Sequence, residues 1–528
     1  MSDINDSTNP ICEDSDIPWA APDDMQYDRA EAALEASHKE FGRQVFRDLL
    51  ESLAIDWLGK TDARIVPPVI GGSYNVIYGL ALDDSPPKRL LRVPSANVAF
   101  ADEKTVGECV IAQFLQDRTS VPTASVLHYG LSHQTPEVGP HIIMKRIEHF
   151  WSMSSRLNKR YKTRGARHIL DNQIPRDELK ALDMQMAYYF LQLLPHRFPR
   201  IGTLARLKHN TYVVQTRPLT IHMQQMIELS NIPRAALPRK DKTYSTADEW
   251  YTACSRMHIA PLLFQQNDFI ISADDCRNKY VSRLIFHRLA KEGKLSQFGF
   301  EEDSWSVQSK ELRARSRAPC PAPSGSGDFV LWCDDLRPGN VLLSEGDEVV
   351  GIVDWEFTYV GPTQFALDPP WWLCLDNPHN YDDGGLECFT KVYEKRVKTW
   401  LEAVEEVEKK VDPGSLRLPH GMALSRYMRE SWETGRFWLS YAIRKTWAFD
   451  QIYWKYLDAR FFGKRPDGLP RAQLWTTRLH LLNDRERDLM ESFVERRMEE
   501  TRVRKLIDHW DLKEVQRRFD EILGEDDA

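Results

Sequence analysis

Residues 331–343, "LWCDDLRPGNVLL", place two adjacent acids, an Arg-Pro-Gly turn and an asparagine between two short apolar runs. Apolar runs of this length, bounded by turn residues, indicate short strands. Asp335 and Asn340 stand five positions apart. A loop held by Pro338 and Gly339 can direct both of these side chains into one cleft.

The chain that follows supplies a third polar group. Residues 341–343 and 349–353 are strand-like and flank the turn "SEGDE", so they predict a hairpin that returns the chain to the loop. Asp354, directly after the second run, is therefore expected close to Asn340. Phosphoryl transfer from a nucleotide needs a carboxylate base and hard-oxygen ligands for Mg²⁺, which this set provides. An isolated D-x-x-x-x-N spacing is common, so the interpretation depends on the hairpin and Asp354.

Bulk composition excludes several classes of protein. The chain has 528 residues, 42% apolar and 28% charged, which is typical of a globular protein with a sizeable core. A formal net charge of −8 gives no general attraction to nucleic acid or anionic membranes. Eight scattered cysteines without a C-x-x-C pair indicate reduced thiols. No signal peptide pattern or membrane span is recognisable. These features predict a cytoplasmic protein without a membrane or nucleic-acid partner.

The pattern of periodicity divides the chain. Helical periodicity over 31–58 is followed by β-rich runs between 65 and 147, interrupted by one helical segment at 103–117. This order predicts a small antiparallel sheet carrying one helix, and the rest of the chain is mostly helical. We predict four parts: a disordered acidic tail (1–26), an N-terminal nucleotide-binding lobe with a leading helix (27–150), a helical catalytic and acceptor-binding lobe (151–475) and a charged helical extension (476–528).

The stretch "CDDLRPGNVLL…GIVDWEFTYVGPTQFALDP" (333–369) resembles the signature of aminoglycoside phosphotransferase and choline kinase-like enzymes. The resemblance implies an α+β, two-lobed protein-kinase-like fold, with a small antiparallel sheet lobe and a large, mainly helical lobe. It implies transfer of the γ-phosphate of ATP or GTP, with Mg²⁺, to a hydroxyl of a small molecule. By resemblance, Asp335 is the catalytic base, Asn340 and Asp354 are magnesium ligands, and Asp368 anchors the catalytic loop.

The upstream half fits the same family. "VIGGSYNVIYGLAL" (69–82) predicts a strand, a glycine turn and a second strand. By resemblance the turn covers the phosphates with Gly71, Gly72 and Ser73. The resemblance also places the backbone from Met144 to Arg146 at the lobe connection, facing the adenine.

Three positions depart from the family's pattern. Cys333 and Asp334 replace the usual His and Gly, so the support of the loop must differ, and the five-residue spacing favours Asp335 over Asp334 as the base. Arg92 stands where the family has a phosphate-binding Lys, with Glu108 as its acidic partner. Arg stays cationic but differs in shape and hydration. The alternative for Arg92 and Glu108 is an ordinary surface pair.

Two functions from different classes are compatible with the sequence. One is a phosphotransferase acting on a small-molecule hydroxyl, and the other is a catalytically silent, nucleotide-binding pseudokinase scaffold. The complete set of Asp335, Asn340 and Asp354 favours the first. A protein kinase is less favoured, because no A-P-E element follows Asp354.

The acceptor is not identified by the sequence. Acids in the helical lobe would suit a cationic acceptor, and a solvated acidic loop is the alternative. The aromatic-rich segment 432–457 is predicted to be core, with a pocket wall as the alternative. The acids concerned are Asp376, Asp382, Asp383 and Glu387.

Overall fold

The computed structural model describes residues 19–83, 86–159, 168–315, 318–381 and 385–524. The chain begins with two helices, α1 (Asp24–Phe41) and α2 (Gln44–Leu58). A five-stranded sheet with the order β1-β2-β3-β5-β4 follows, and all of its pairings are antiparallel. Helix α3 (Ala101–Arg118) connects β3 to β4. The strands are β1 (Ala63–Gly71), β2 (Asn75–Leu82), β3 (Arg89–Pro94), β4 (Val126–Gly130) and β5 (His141–Lys145).

The sheet is covered on both faces, and strand alternation explains how. Ile143 belongs to the cluster formed with α2, whereas its neighbours Ile142 and Met144 pack with Cys109 of α3. Successive side chains of a strand point to opposite faces. The run of apolar residues in β5 therefore packs against α2 on one face and against α3 on the other. The predicted order of three strands, one helix and two strands is confirmed.

The remainder is mainly helical and contains the largest apolar cluster. Its short strands are β6 (Trp151–Ser152), β7 (Thr203–Arg206), β8 (Tyr212–Thr216), β9 (Val330–Cys333), β10 (Val341–Leu343), β11 (Val349–Ile352) and β12 (Thr358–Gly361). Its helices are α4 (Met153–Leu157), α5 (Arg176–Leu193), α6 (Ile221–Ser230), α7 (Ala247–Phe264), α8 (Ala273–Lys291), α9 (Lys294–Gln297), α10 (Val307–Ala314), α11 (Thr363–Ala366), α12 (Gly385–Glu408), α13 (Leu424–Thr434), α14 (Arg436–Ile443), α15 (Thr446–Ile452), α16 (Asp458–Phe462), α17 (Asp484–Arg502) and α18 (Leu512–Leu523). None of the helices in the described ranges has the length and hydropathy of a membrane span.

The aromatic-rich segment 432–457 is largely core, as expected. Trp438 and Trp454 are almost completely buried, and the Trp438 ring stacks on Tyr456 with centroids 4.2 Å apart. Two tyrosines of the segment have polar partners: the Tyr441 hydroxyl lies 2.8 Å from His379 Nδ1, and the Tyr456 hydroxyl lies 3.1 Å from Thr390 Oγ1. The segment therefore contributes mostly packing.

Several boundaries differ from the prediction. The sequence predicts a tail over residues 1–26, but Asp23 is fully buried and caps α1 by accepting from the Gln26 N–H at 3.1 Å. The helical segment 31–58 is interrupted at Gly42, and the hairpin β7–β8 was not predicted. Phe493 and Phe519, which lie in the predicted extension 476–528, belong to the main apolar cluster of the helical lobe. Residues 1–18 lie outside the described ranges.

Candidate active site

The loop and hairpin bring Asp335, Asn340 and Asp354 together. Strands β10 and β11 pair antiparallel with Val341 opposite Ile352, and the Val353 N–H donates to the Asn340 carbonyl at 2.9 Å. Asp354 follows at once, with φ +62°, a left-handed conformation that Asp tolerates better than most residues. The predicted return of the hairpin to the loop is therefore present, and Asp354 leaves the strand beside Asn340.

Hydrogen bonds fix the orientation of Asn340. Its Nδ2 donates to the Asp335 carbonyl at 2.9 Å and to Asp335 Oδ2 at 3.4 Å. Because the amide nitrogen faces Asp335, the amide oxygen is left to act as a ligand. Together with the Asp354 carboxylate it forms the small set of hard oxygens that Mg²⁺ prefers. The donor set therefore fits Mg²⁺.

Asp335 has the electrostatic environment of a base. Burial raises the pKa of its carboxyl to about 6, and the charges of Asp354 and Glu356 act in the same direction. Arg337 and Lys445 oppose that shift, and Arg337 Nε lies 3.3 Å from Asp335 Oδ1. A carboxylate with a pKa near the working pH can both take up and release a proton.

Asp334 supports the loop that lacks the family's His. It is 2% exposed, its Oδ1 accepts from Trp332 Nε1 at 2.8 Å, and Arg444 Nη1 lies 3.5 Å from the same oxygen. Its N–H donates to the Phe357 carbonyl. Cys333 ends β9 opposite Thr358, and burial raises the pKa of its thiol. The two neighbouring acids therefore differ: Asp334 ties the loop to the helical lobe, whereas Asp335 faces Asn340.

Arg92 lies at the centre of a buried ionic network. Its Nη1 is 2.5 Å from Glu108 Oε1, and its Nη2 is 2.5 Å from Asp354 Oδ1 and 2.7 Å from Glu356 Oε2. The residue is 6% exposed, which rules out an ordinary surface pair with Glu108. Arg92 Nε is a buried donor without a hydrogen-bond partner in the described part of the chain.

Glu356 and Lys104 were not identified from the sequence. Lys104 Nζ lies 2.5 Å from Glu356 Oε2 and 2.8 Å from Asn75 Oδ1, and Asn75 Nδ2 donates to the same Glu356 oxygen at 3.0 Å. Burial would raise the pKa of Glu356, but Lys104 and then Arg92 lower it to about 2. One signal was available: Lys104 precedes Glu108 by one helical turn and so shares its face of α3.

The glycine turn lies between β1 and β2 and is exposed from Gly71 to Ser73. The Gly72 N–H donates to the Asn75 carbonyl at 2.8 Å. A Cβ at Gly71 would lie 2.8 Å from Cε1 of His38, a residue of α1, so a side chain at this position would displace the His38 ring. His38 Nε2 is 3.2 Å from the Gly72 carbonyl oxygen. Helix α1 therefore packs against the glycine turn.

Helix α1 connects this turn to the helical lobe. At its start, Asp23 Oδ2 accepts from the Asn267 N–H at 2.9 Å, and Gln26 Nε2 donates to the Glu228 carbonyl at 3.1 Å. The segment after α17 also holds it, with Arg504 Nη2 2.5 Å from Asp24 Oδ1 and Asp508 paired with Arg29 at 2.8 Å. Helix α1 therefore bridges both lobes, and we call Asp23–Phe41 the strap.

The remaining predicted residues have mixed surroundings. Met144 is buried in β5 opposite Leu90, and the Arg146 N–H donates to the Lys88 carbonyl at 2.9 Å, so that donor is used within the N-terminal lobe. Asp368 is buried and accepts from Ser431 of α13 rather than from the catalytic loop. Asp376 lies near Tyr441, and Glu387 lies near Tyr456. Asp382 and Asp383 fall outside the described residues.

The chain has a small antiparallel sheet lobe and a helical lobe. A loop and a hairpin carry Asp335, Asn340 and Asp354. Together these features define the two-lobed protein-kinase-like fold. Residues 231–402 match the phosphotransferase enzyme family (APH), a segment that contains the catalytic loop and the hairpin. The resemblance drawn from the sequence is confirmed.

Individual relatives are more distant or shorter matches. The "Clavilactone A biosynthesis cluster protein Y" of Ampulloclitocybe clavipes is 32% identical over 79 residues, which covers 15% of this chain and only 17% of that relative. Similar solved structures include a thermostable aminoglycoside phosphotransferase APH(4)-Ia mutant with ADP and hygromycin B (13% identity, 85% of this chain, 98% of that chain, TM-score 0.35). Another is the Plasmodium vivax ethanolamine kinase (13% identity, 86% of this chain, 94% of that chain, TM-score 0.36).

Proposed function

We propose that this protein is a nucleotide- and Mg²⁺-dependent phosphotransferase that moves the γ-phosphate of ATP or GTP to a hydroxyl of a small molecule. The observation that carries the proposal is the convergence of Asp335, Asn340 and Asp354 through the β10–β11 pairing. Phosphoryl transfer depends on positioning and charge stabilisation, and this site provides a base and a ligand set within one short segment.

Each group then has a role that its contacts support. Asp335 orients the acceptor hydroxyl and takes its proton, while the bond from Asn340 Nδ2 holds the carboxylate in place. Asn340 and Asp354 would hold Mg²⁺, which when bound neutralises charge on the phosphates. Arg92 places a fixed positive charge beside Asp354, and Glu108 and Glu356 keep its guanidinium in position. Gly71, Gly72 and Ser73 offer backbone close to the phosphates.

The direct experiment incubates the purified protein with γ-labelled ATP or GTP, Mg²⁺ and a panel of small alcohols. We expect label in an acceptor, and a loss of at least about 100-fold in Asp335→Asn, because this variant lacks the proton-accepting carboxylate. Asp347→Asn, in the β10–β11 turn, is the matched control.

The second candidate is the silent nucleotide-binding scaffold. The close contact of Arg92 with Asp354 favours it, because a carboxylate that is already paired with a cation is less available to a metal ion. Nucleotide binding by wild type and by Asp335→Asn, without transfer to any acceptor by either protein, would support the scaffold and contradict the phosphotransferase.

A further inference from the structure

The β7–β8 hairpin belongs to the helical lobe, yet it lies against α3 of the N-terminal lobe. Near the hairpin turn, the Tyr212 hydroxyl donates to Asp117 Oδ2 at 2.6 Å, and the Tyr212 ring meets the Phe114 ring edge-on with centroids 5.1 Å apart. Within the turn, the Asn210 carbonyl accepts from Arg118 Nη2 at 3.1 Å. These contacts hold the C-terminal end of α3.

The chain that leaves the β7–β8 hairpin holds the other end of the same helix. Arg217, directly after β8, places Nη2 3.0 Å from Glu103 Oε1 and Nε 3.3 Å from Oε2 of the same carboxylate. Its guanidinium also lies over the Phe100 ring, 4.6 Å from the centroid. A bidentate pair fixes direction as well as distance, and Arg217 is buried, so solvent screens this pair less than a surface pair. The hairpin region therefore contacts both ends of α3.

The helical periodicity of α3 connects these contacts to the buried ionic network. Glu103 and Gly107 are one turn apart and share a face of the helix. A Cβ at Gly107 would lie 3.6 Å from Thr203 Cγ2, so β7 passes close to this face. Lys104 and Glu108 are the next residues along the chain and form the adjacent row, which carries the pairs of the network. A movement of the first row would therefore displace the second.

The start of the β7–β8 hairpin is bonded to the strands that carry the catalytic loop. The Gly202 N–H donates to the Val360 carbonyl at 3.0 Å, and the Val360 N–H donates to the Gly202 carbonyl at 2.8 Å. Val360 belongs to β12, which pairs with β9, the strand that leads into the catalytic loop. A Cβ at Gly202 would collide with the Thr216 carbonyl oxygen, so the close pairing of β7 and β8 requires glycine here. The hairpin thus joins α3 to the catalytic-loop strands through hydrogen-bonded backbone.

We propose that the β7–β8 hairpin is a positioning element of the nucleotide site, and that the Arg217–Glu103 pair fixes α3 in the place that this site needs. The inference rests on the proposed function, in which Lys104 and Glu108 keep the network around Arg92 set for the phosphates. Without the pair, α3 keeps its apolar packing, but its N-terminal half can shift and move both network residues. Arg217 acts through α3 and is a positioning residue.

The first test measures the affinity for ATP with Mg²⁺ by isothermal titration in Arg217→Ala, Glu103→Gln and the double variant. We expect each single change to weaken binding about three- to tenfold. The double variant should be no weaker than either single one, because both changes remove the same contact. Arg217→Lys keeps a cation opposite Glu103 and should recover most of the affinity. Arg239→Ala, which removes an exposed pair with Asp241, is the matched control. Wild-type affinity in Arg217→Ala would overturn the inference.

Turnover separates positioning from general damage to the fold. In Arg217→Ala we expect the KM for the nucleotide to rise by the same factor as the dissociation constant, while the KM for the acceptor stays within about twofold. Equal rises in both constants would mean that the variant is damaged as a whole, and would also overturn the inference.

The second test reports on α3 itself and needs no turnover. Cys109 follows Glu108 in α3 and is completely buried, and burial raises the pKa of its thiol, so it should react slowly with a maleimide. Peptide mass spectrometry follows its labelling in the native protein, with the buried Cys276 of α8 as the internal reference. We expect Arg217→Ala to speed labelling of Cys109 about fivefold or more and to leave Cys276 unchanged. Equal rates in wild type and variant would overturn the inference.

These outcomes separate the inference from the proposed function. Weaker nucleotide binding and faster Cys109 labelling in Arg217→Ala, with no phosphoryl transfer by the wild type, would reject the phosphotransferase and keep the positioning role in nucleotide binding. Transfer by the wild type, with affinity and labelling unchanged in the variant, would do the reverse. The absence of both transfer and any change in the variant would reject both.

Discussion

Arg92 Nη2 lies 2.5 Å from Asp354 Oδ1, so the proposed phosphate-binding cation and the proposed metal ligand are partners in this structure. The same nitrogen is 2.7 Å from Glu356, which fixes the guanidinium whether or not Asp354 stays in contact. Asp354 is the more exposed member, with 33% of its side chain accessible. It can therefore exchange Arg92 for Mg²⁺ without exposing a buried charge.

Asp354→Ala is expected to abolish Mg²⁺-dependent turnover while leaving the protein folded. Arg92 keeps Glu108 and Glu356 as partners, but Ala tolerates the φ of +62° less well than Asp does, so we expect the unfolding free energy to fall by about 1–2 kcal/mol. Turnover and thermal unfolding measured on the same preparation check both parts. Wild-type turnover in this variant would remove Asp354 from the metal site.

Glu356→Gln should be far more damaging to the fold. It removes the carboxylate shared by Arg92 and Lys104, and breaking a buried pair from one side costs about 3–5 kcal/mol. Chemical denaturation of the variant tests this, with Glu345→Gln, an exposed acid of the β10–β11 turn, as control. Equal stability of the two variants would show that the network is not needed for folding.

The pH dependence of catalysis should report Asp335. A base must be deprotonated to accept a proton, and burial raises the pKa of this carboxyl to about 6. We therefore expect kcat/KM to be full above about pH 7 and to fall by roughly tenfold per unit below about pH 6. A profile that stays flat down to about pH 5 would contradict this assignment.

The strap should influence nucleotide binding from a distance. Arg504→Ala removes the pairs with Asp24 and Asp268 at its start, and His38→Ala removes the ring behind Gly71. We expect either change to raise KM for the nucleotide about two- to fivefold with little effect on kcat.

The matched control for the strap is Arg502→Ala, which removes only an exposed pair with Glu499 at the end of α17. The KM for the nucleotide is measured in all three variants by nucleotide titration. A KM in Arg504→Ala and His38→Ala equal to that of the control would mean that the strap does not restrain the glycine turn.

The hairpin and the five-stranded sheet could be predicted because their signals are local. The short apolar runs 341–343 and 349–353 and the turn "SEGDE" between them already specify where Asp354 must return. Lys104 and Glu356 could not be assigned in this way, since their contact joins residues 252 positions apart. A buried lysine also looks like a solvated one in sequence, because burial follows from the fold.

The start of the strap was missed for a similar reason. Asp23 belongs to an acidic stretch that is typical of disorder, yet Asn267 provides the hydrogen bonds that allow it to be buried. Composition indicates whether a segment can fold by itself. It gives no information about a partner that is distant in sequence.

The contacts of the strap also set an order of assembly during synthesis. Helix α1 leaves the ribosome well before Arg504 and Asp508, which hold its start and emerge only after the kinase-like region between them has been made. The anchoring of α1 is thus completed late in translation, so a nascent chain can form its catalytic loop before the helix behind the glycine turn is held at its start.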